Sequence, residues 1–383
     1  MTTIKSTDTL AIFQAATKIV YGPGAVARMG DLVQNLDVRR LLVVTDEGVS
    51  RAGITARVVA ALVDAGIDIV VFDGVEPNPS IETVEKTLAL YRDRVCEGVV
   101  AVGGGSPIDA AKAVATLATN PGDLADYIGV GKIVQPLVPL MAVPTTVGTG
   151  SEVTTWAVIT DLAQRKKVVL GSPLLAPRIA VLDPELVLSL PASLTASTGI
   201  DALTHAIESV ISLFAGPFTD GLALEAIHLI SANLPTAVLS PELGARANLL
   251  YASAMAGMAF SYARTALVHG MAHPLSAYYD VPHGLANAIL LPSVLAFNLP
   301  TCETQLARVA AAMGEEASAQ AAVEAVRQLN ARVGIPSCLS DVGVTEEHIP
   351  HMAQDAFESG NAQVVNPRKP TYEQVIELYR QAL

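Results

Sequence analysis

The stretch GVVAVGGGSPIDAAKAVATLA, residues 98–118, joins an apolar run, three consecutive glycines and a helical segment. The apolar run Gly98–Val102 has no polar alternation, which is typical of a strand buried on both faces of a parallel sheet. The glycines let the backbone come close to a ligand, and free N–H groups at the start of the following helix form a phosphate site. Ser106 can cap this helix, and Pro107 suits its first position. A plain tight turn is the alternative, because Ile108 stands where the dinucleotide fingerprint GxGxxG ends in glycine.

Similar apolar runs lie before and after this stretch, with helical segments such as Ala56–Ala65 between them: Arg40–Asp46, Asp68–Phe72, Leu140–Pro144 and Ile179–Leu182. Strands that alternate with helices predict a parallel sheet. After residue 190 the pattern changes to one helix after another. In the last of these, Tyr372–Ala382, Thr371 and Gln374 fit a capping box. The sequence therefore predicts an α/β domain at residues 1–190 and an all-α domain at residues 191–383.

Composition excludes several classes of partner. The chain has 383 residues, enough for two domains, and its net charge of −13 argues against nucleic acid or an anionic membrane surface. No uninterrupted apolar run of about 18 residues exists, so no membrane-spanning helix is predicted. The start, MTTIKSTDTL, shows no signal-peptide pattern, and three widely spaced cysteines are typical of a reducing compartment. We therefore expect a soluble cytoplasmic protein with no nucleic-acid or membrane partner.

The spacing of histidines and a carboxylate in the second half predicts a metal site. The segments DALTH at 201–205 and HGMAH at 269–273 each place two such groups four residues apart, and PHG at 282–284 follows. At this spacing two side chains share one helix face, about one turn apart. Two such helices, with His283 from the following turn, can surround one divalent cation with donors that Zn and Fe(II) accept. A lone histidine on an apolar helix is usually a hydrogen-bonded core residue, but two spaced pairs together favour a metal.

Two more segments favour a nucleotide near the glycine turn. Asp46 closes a predicted strand, where an acid can accept hydrogen bonds from a ribose diol and repel a 2′-phosphate. It could equally cap the helix that follows. The stretch PTTVGTGSE at 144–152 leaves another strand with hydroxyls and glycines that suit a dinucleotide, although an ordinary polar loop has the same composition. All three segments lie at carboxyl ends of predicted parallel strands, where open α/β sheets bind ligands.

Several segments resemble those of the iron-containing (group III) alcohol dehydrogenases: GGGSPID at 103–109, PTTVGTGSEVT at 144–154, DPEL at 183–186, TGIDALTHAIE at 198–208, LVHGMAHPL at 267–275, PHG at 282–284 and NPR at 366–368. They cover nearly the whole chain in the family's order. The family includes lactaldehyde reductase and 1,3-propanediol dehydrogenase. It shares its fold with glycerol dehydrogenase and dehydroquinate synthase, which implies a dinucleotide-binding α/β domain followed by an all-helical, metal-binding catalytic domain.

The resemblance implies a role for individual residues. The metal ligands would be Asp201, His205, His269 and His283. His273 would be the catalytic residue, a histidine outside the ligand set that passes a proton from the nicotinamide side to solvent. The NAD-binding residues would be Asp46, Asn78, Gly104, Gly105, Ser106, Asp109, Thr145, Thr146, Thr149 and Lys167. The resemblance favours Fe(II) as the metal, and Zn also suits an Asp/His₃ set.

The implied activity is hydride transfer between NAD and a short-chain alcohol, diol or hydroxyacid, with a cation that stabilises the alkoxide. The implied partners are a small alcohol or aldehyde and further copies of the chain in a homodimer or larger homo-oligomer. An alternative is a lyase of the dehydroquinate synthase type, which uses the same fold, NAD and metal for cyclisation. A third possibility is a metal- or nucleotide-binding protein without turnover. The spacing from GGGSP to PHG fits the dehydrogenases better.

The segment AFSYARTALVH at 259–269 departs from the family, whose members often read AFSNxGLGLVH. Tyr262 replaces a small polar residue, and Arg264 replaces a glycine. Trp156 and Phe260 fall where relatives line the alcohol pocket, and an indole there would narrow it. Arg264 near that pocket would favour a substrate with an anionic end remote from the hydroxyl. A surface or interface salt bridge is the alternative role for Arg264.

Overall fold

A computed structural model describes residues 10–164 and 166–383. Met1–Thr9, most of the stretch in which no signal peptide is predicted, and Arg165 lie outside the described residues. The described chain divides into two compact units. One is Ala15–Ser189, and the other is Leu190–Leu383 together with the described residues up to Gln14.

The first unit contains the strands, which are in chain order β1 (Lys18–Tyr21), β2 (Arg40–Val44), β3 (Asp68–Phe72), β4 (Gly98–Gly103), β5 (Gly129–Val130), β6 (Leu140–Pro144), β7 (Trp156–Asp161), β8 (Lys166–Gly171) and β9 (Ile179–Leu182). Among the described residues, six of them form one sheet in the order β1-β9-β6-β4-β2-β3, and every pairing in it is parallel. Strands β4, β6 and β9 are buried along their whole length. This burial explains their unbroken apolar sequences.

The predicted α/β class is confirmed, since the five apolar runs correspond to β2, β3, β4, β6 and β9. The helices of this unit are α1 (Met29–Gln34), α2 (Glu47–Arg51), α3 (Ile54–Val63), α4 (Ile81–Asp93) and α5 (Gly105–Thr119). A second sheet, β5-β8-β7, was not expected from the sequence. Its β7 and β8 form an antiparallel hairpin, and β5 has only two residues. With two residues, β5 is too short to carry a hydrophobic pattern.

The second unit is helical, as predicted, and its helices are α6 (Ala192–Ile211), α7 (Pro217–Leu239), α8 (Leu243–Ala263), α9 (Leu267–Tyr279), α10 (His283–Asn298), α11 (Glu303–Ala312), α12 (Ala319–Arg332), α13 (Ile349–Glu358) and α14 (Tyr372–Ala382). Helix α6 is buried over most of its length and packs against α7, α8 and α10. The capping box predicted for α14 is present, since the Thr371 hydroxyl accepts from the Gln374 N–H and the Gln374 side chain accepts from the Thr371 N–H.

Two helical segments in the second unit are long and apolar enough to cross a membrane by length and composition alone. They are Pro217–Leu239 and His283–Thr301, and 44% and 50% of their most apolar windows are buried inside the protein. Core helices of folded proteins pass the same test. Both segments pack against α6, which is the behaviour of core helices.

Candidate active site

Asp201 and His205 lie one turn apart on the buried face of α6, as their spacing predicts. Asp201 is 2% exposed and His205 5% exposed. The His205 ring stacks against Phe260 of α8, with 4.3 Å between ring centroids and 19° between planes. Phe260 therefore lies beside a predicted ligand and covers one face of its ring.

His269 lies in the first turn of α9, and its ring centroid is 4.5 Å from that of His205. Its Nδ1 is 2.6 Å from Oε2 of Glu208 on α6. Glu208 also accepts hydrogen bonds from the backbone N–H groups of Ala266 (2.8 Å) and Val268 (2.7 Å). The imidazole of His269 is thus held from behind by a buried carboxylate.

His283 is the first residue of α10, and its Nε2 is 4.0 Å from Asp201 Oδ1. Gly284 allows α10 to approach α6, because a Cβ at this position would lie 2.6 Å from the Ser197 carbonyl oxygen. Asn287, one turn further along α10, is fully buried. The start of α10 therefore brings both His283 and Asn287 towards Asp201.

The side-chain nitrogen of Asn287 lies at the point where the predicted ligands meet. It is 2.7 Å from Asp201 Oδ1 and 3.2 Å from Nε2 of both His269 and His283. An amide nitrogen has two hydrogens, so it can satisfy two of these three acceptors at most. Lone pairs that converge in excess on one point are what a divalent cation requires.

The donor set fits a divalent metal ion. One donor atom from each of Asp201, His205 and His269 lies within 4.8 Å of the others, and all three residues are buried. His283 borders this group, with its ring centroid 5.3 Å from that of His269. One carboxylate and three imidazoles suit Fe(II) or Zn.

His273 lies one turn after His269 on α9, and it is partly exposed. Its ring centroid is 6.4 Å from that of His269, and the ring stacks on His283 at 5.2 Å. It is therefore next to the donor group without being one of the residues whose donor atoms cluster within 4.8 Å.

In the other unit, the glycine turn forms a shallow cradle at the start of α5. A Cβ on Gly104 would lie 3.1 Å from the Thr146 methyl, and one on Gly105 would lie 2.9 Å from the Thr149 methyl. The expectation that Ser106 caps the helix is wrong, because the N-cap is Gly104. The Ser106 hydroxyl instead accepts a hydrogen bond from the Asn78 N–H at 3.2 Å.

Asn78 joins two other predicted cofactor residues, Ser106 and Lys167. Its backbone is left-handed (φ 58°), its Oδ1 accepts from Lys167 Nζ at 2.8 Å, and its N–H reaches Ser106. Thr145 continues from β6 beside this group, with its N–H bonded to the Gly103 carbonyl at 2.9 Å. The glycine turn, Asn78 and Lys167 are therefore linked by hydrogen bonds.

Asp46 caps α2, since its Oδ1 accepts from the Val49 N–H at 2.9 Å. Asp109 also uses its carboxylate within the protein. It accepts from the Ser151 hydroxyl at 2.5 Å and from the Val158 N–H at 2.9 Å. Asp109 thus ties α5 to the segment that follows β6 and to β7.

Two further buried charges lie beside Asp109. Lys112 is fully buried and donates to the carbonyls of Thr154 (3.0 Å) and Trp156 (2.7 Å). Burial lowers the pKa of Lys112 to about 8. Glu152 is 1% exposed, its Oε1 has no hydrogen-bond partner among the described residues, and burial raises its pKa to about 7.

The remaining residues of the predicted substrate pocket have local partners. The Trp156 indole covers Gly171, where a Cβ would lie 2.3 Å from the ring. The Arg264 guanidinium lies over the Phe214 ring, 4.8 Å from its centroid. Arg264 also has φ 63° and ψ 163°, a strained region that favours glycine. Tyr262 donates its hydroxyl to the Gln14 carbonyl at 2.7 Å.

The sequence reasoning missed Glu208 and Asn287. Glu208 had a usable signal, because a residue seven positions after Asp201 and three after His205 shares their helix face. Asn287 stands four residues after His283 and had the same kind of signal. Neither residue type at these positions points to a direct metal ligand by spacing alone.

Comparison with known proteins gives matches along almost the whole chain. Family models match residues 16–184 (iron-containing alcohol dehydrogenase) and residues 195–383 (Fe-containing alcohol dehydrogenase family, C-terminal). The chain is 44% identical to a 1,3-propanediol dehydrogenase of Citrobacter freundii, over 94% of this chain and 96% of that one. It is 37% identical to the NAD-dependent methanol dehydrogenase of Bacillus methanolicus, over 95% and 97%. A crystal structure of 1,3-propanediol oxidoreductase superimposes with a TM-score of 0.96 at 42% identity, covering 98% of this chain and 100% of that one.

Proposed function

This chain belongs to the iron-containing alcohol dehydrogenase family, and on that premise we propose that it transfers hydride between NAD and a short-chain alcohol, diol or hydroxyacid. The observation that carries the proposal is the convergence of Asp201 Oδ1 and the Nε2 atoms of His269 and His283 on one buried point. A lyase of the dehydroquinate synthase type is not favoured, because the matching family models and relatives are alcohol dehydrogenases.

Four residues would hold the cation: Asp201, His205, His269 and His283. We take Fe(II) as the resident metal because the family is iron-containing, with Zn as the alternative. The cation, when bound, supplies Lewis-acid stabilisation of negative charge on the substrate oxygen. The protein contributes a donor group whose carboxylate and two imidazoles are at least 95% buried, which keeps bulk water from these ligands.

His273 is proposed to move the proton. It is partly exposed, so it can exchange a proton with solvent, and its ring stacks on His283. A histidine next to the donor group is suited to accept the hydroxyl proton during alcohol oxidation and to return it during aldehyde reduction. Its ring centroid is 6.4 Å from that of His269, farther than the 5.3 Å between His269 and His283, which supports this role over that of a ligand.

NAD, when bound, accepts or donates the hydride. The cradle at Gly104 and Gly105, at the N-terminus of α5, suits the pyrophosphate because free N–H groups and the helix dipole favour an anion there. Thr146 and Thr149 border this cradle. Asp46 supports NAD over NADP, since its carboxylate would repel a 2′-phosphate.

The first substrates to test are short uncharged alcohols and diols. The contact of Arg264 with Phe214 supports a structural role for this guanidinium, which weakens the expectation that it binds an anionic substrate. Two relatives are named for propanediol and methanol, both small and uncharged. Hydroxyacids remain in the proposed substrate class and serve as the matched charged compounds.

We also propose a cytoplasmic homodimer or larger homo-oligomer. Cys96, Cys302 and Cys338 form no disulfide among the residues described, as suits a reducing compartment. Large apolar side chains are exposed on the helical unit, including Ile12 (77%) and Phe218 (68%), and exposed apolar groups of this size favour burial against another chain. Light scattering coupled to size-exclusion chromatography would give the number of chains.

The proposal is tested by NADH release. Metal-free protein is reconstituted with Fe(II) or Zn and incubated with NAD and a panel of short alcohols, diols and hydroxyacids. We expect NADH to accumulate in solution in the metal-loaded protein only, with short alcohols or diols preferred. A lyase of the dehydroquinate synthase type would not release NADH, so metal-loaded protein that releases none with any compound contradicts the proposal.

A further inference from the structure

Glu208 is a fully buried carboxylate that has no role in the reaction proposed above. It lies three residues after His205 and seven after Asp201 on α6, so it shares their face of the helix. An unpaired buried charge is costly, and three hydrogen bonds offset that cost here. All three donors belong to the start of α9.

Two of these donors are backbone groups. The N–H groups of Ala266 and Val268, at and just after the N-cap of α9, reach the Glu208 carboxylate at 2.8 Å and 2.7 Å. Side-chain oxygens that accept from the free N–H groups of a first helical turn stabilise that turn, and a negative charge there is favoured by the helix dipole. Glu208 thus fixes where α9 begins relative to α6.

The third donor is His269. An ionised carboxylate only accepts hydrogen bonds, so the 2.6 Å contact with Oε2 requires the hydrogen of His269 to be on Nδ1. The lone pair is then on Nε2. This nitrogen faces the point marked by the Asn287 amide, 3.2 Å away. The tautomer selected by Glu208 is therefore the one in which His269 can act as a ligand.

We propose that Glu208 is a positioning residue for the metal site, an inference that rests on the proposed function. It selects the tautomer of His269 and orients its ring through the start of α9. Hydrogen bonds of this kind from a ligand histidine to a carboxylate strengthen metal binding. The carboxylates of Asp201 and Glu208 together carry two negative charges, which balance the charge of a divalent cation.

The test is Glu208→Gln, which preserves side-chain size but presents an amide that can donate to Nδ1. We expect the affinity of metal-free protein for Zn, measured by competition with a chelator, to fall by about 10- to 100-fold. We also expect the visible absorption bands of Co(II)-loaded protein to shift, because the orientation of one imidazole changes. The matched control is Glu152→Gln, the same substitution at another buried carboxylate, which should leave the Zn affinity unchanged. Unaltered Zn affinity and Co(II) bands in folded Glu208→Gln would overturn the inference.

A second measurement needs no variant. In 15N-histidine-labelled metal-free protein at pH 8, His269, assigned by its absence in His269→Asn, should show hydrogen on Nδ1 and a lone pair on Nε2. The opposite tautomer would overturn the inference even if Glu208→Gln did not fold. The two proposals fail separately. Protein that binds Zn tightly but releases no NADH with any alcohol refutes the proposed function alone, and wild-type turnover with the wrong tautomer refutes only the role of Glu208.

Discussion

The side-chain nitrogen of Asn287 on α10 lies 2.7 Å from Oδ1 of Asp201 on α6. The same nitrogen is within 3.2 Å of Nε2 of His269 and of His283. With two hydrogens, this nitrogen can donate to two of the three groups at once. Asn287 therefore stabilises the donor group when no cation is present.

This contact predicts a stability difference for Asn287→Ala that depends on the metal. The variant should lose about 1–3 kcal/mol more unfolding free energy in the metal-free protein than in the Zn-loaded protein, because buried acceptors are left unsatisfied only in the former. Urea denaturation of both forms measures this. The control is Asn298→Ala, at a buried asparagine at the end of the same helix. It should lower the unfolding free energy by the same amount in the metal-free and the Zn-loaded protein. Equal losses for Asn287→Ala would contradict the prediction.

His205→Ala should remove stoichiometric metal and most of the activity together. The ring lies in the donor cluster, and alanine leaves one donor fewer around the cation. Metal content by elemental analysis and NADH release measure the two effects. His228→Ala, an exposed histidine of α7, is the matched control and should change neither. Full metal content with normal turnover in His205→Ala would exclude His205 as a ligand.

His273→Ala should keep its metal while turnover falls by about 10²-fold, the usual contribution of a positioned acid–base group. We expect this because His273 lies beside the donor cluster and its ring stacks on that of His283. Metal content and kcat are measured on the same preparation. Loss of metal would instead make His273 a ligand and remove another residue from the set.

Asp46→Asn should narrow the preference for NAD over NADP. Asparagine still accepts from the Val49 N–H, so the cap of α2 is preserved while the charge is removed. A charge-assisted hydrogen bond contributes about 1.5–3 kcal/mol, so the ratio of kcat/KM for the two cofactors should change by about tenfold or more. Wild-type protein that uses NADP and NAD with equal kcat/KM would refute the role of Asp46.

The raised pKa of Glu152 predicts that the free energy of unfolding falls as the pH rises from 5 to 7. Burial raises its pKa from 4.5 to about 7, so in this window the folded state holds a proton that the unfolded state has released. Its contribution is fully present below pH 4.5 and is lost as the pH rises to about 7, a change on the order of 3 kcal/mol. Glu152→Gln should flatten this slope in urea denaturation at several pH values. Lys112 does not interfere, because its pKa is about 8. A slope equal to that of the wild type would show that Glu152 is not its source.

The sequence predicted the parts of the molecule that depend on local pattern. Interior strands such as β4 and β6 are apolar over their whole length, and the Asp201/His205 pair follows from helix geometry alone. The contact between Glu208 and His269 joins residues far apart in the chain, so no local pattern reveals it. The cap of α5 was assigned to Ser106 because serine is a good cap, but Ser106 is engaged by Asn78 from another loop. The roles of Glu208 and Ser106 are set by tertiary contacts, which a local sequence pattern does not contain.

The donors of the proposed metal site come from two distant segments, α6 on one side and α9 with α10 on the other. A cation held by both would tie these segments together in the folded state and stabilise that state by its binding free energy. Metal binding would then be coupled to folding, because the unfolded chain cannot assemble such a site. Availability of iron would thereby govern how long the folded chain survives in the cell, as well as how fast it turns over.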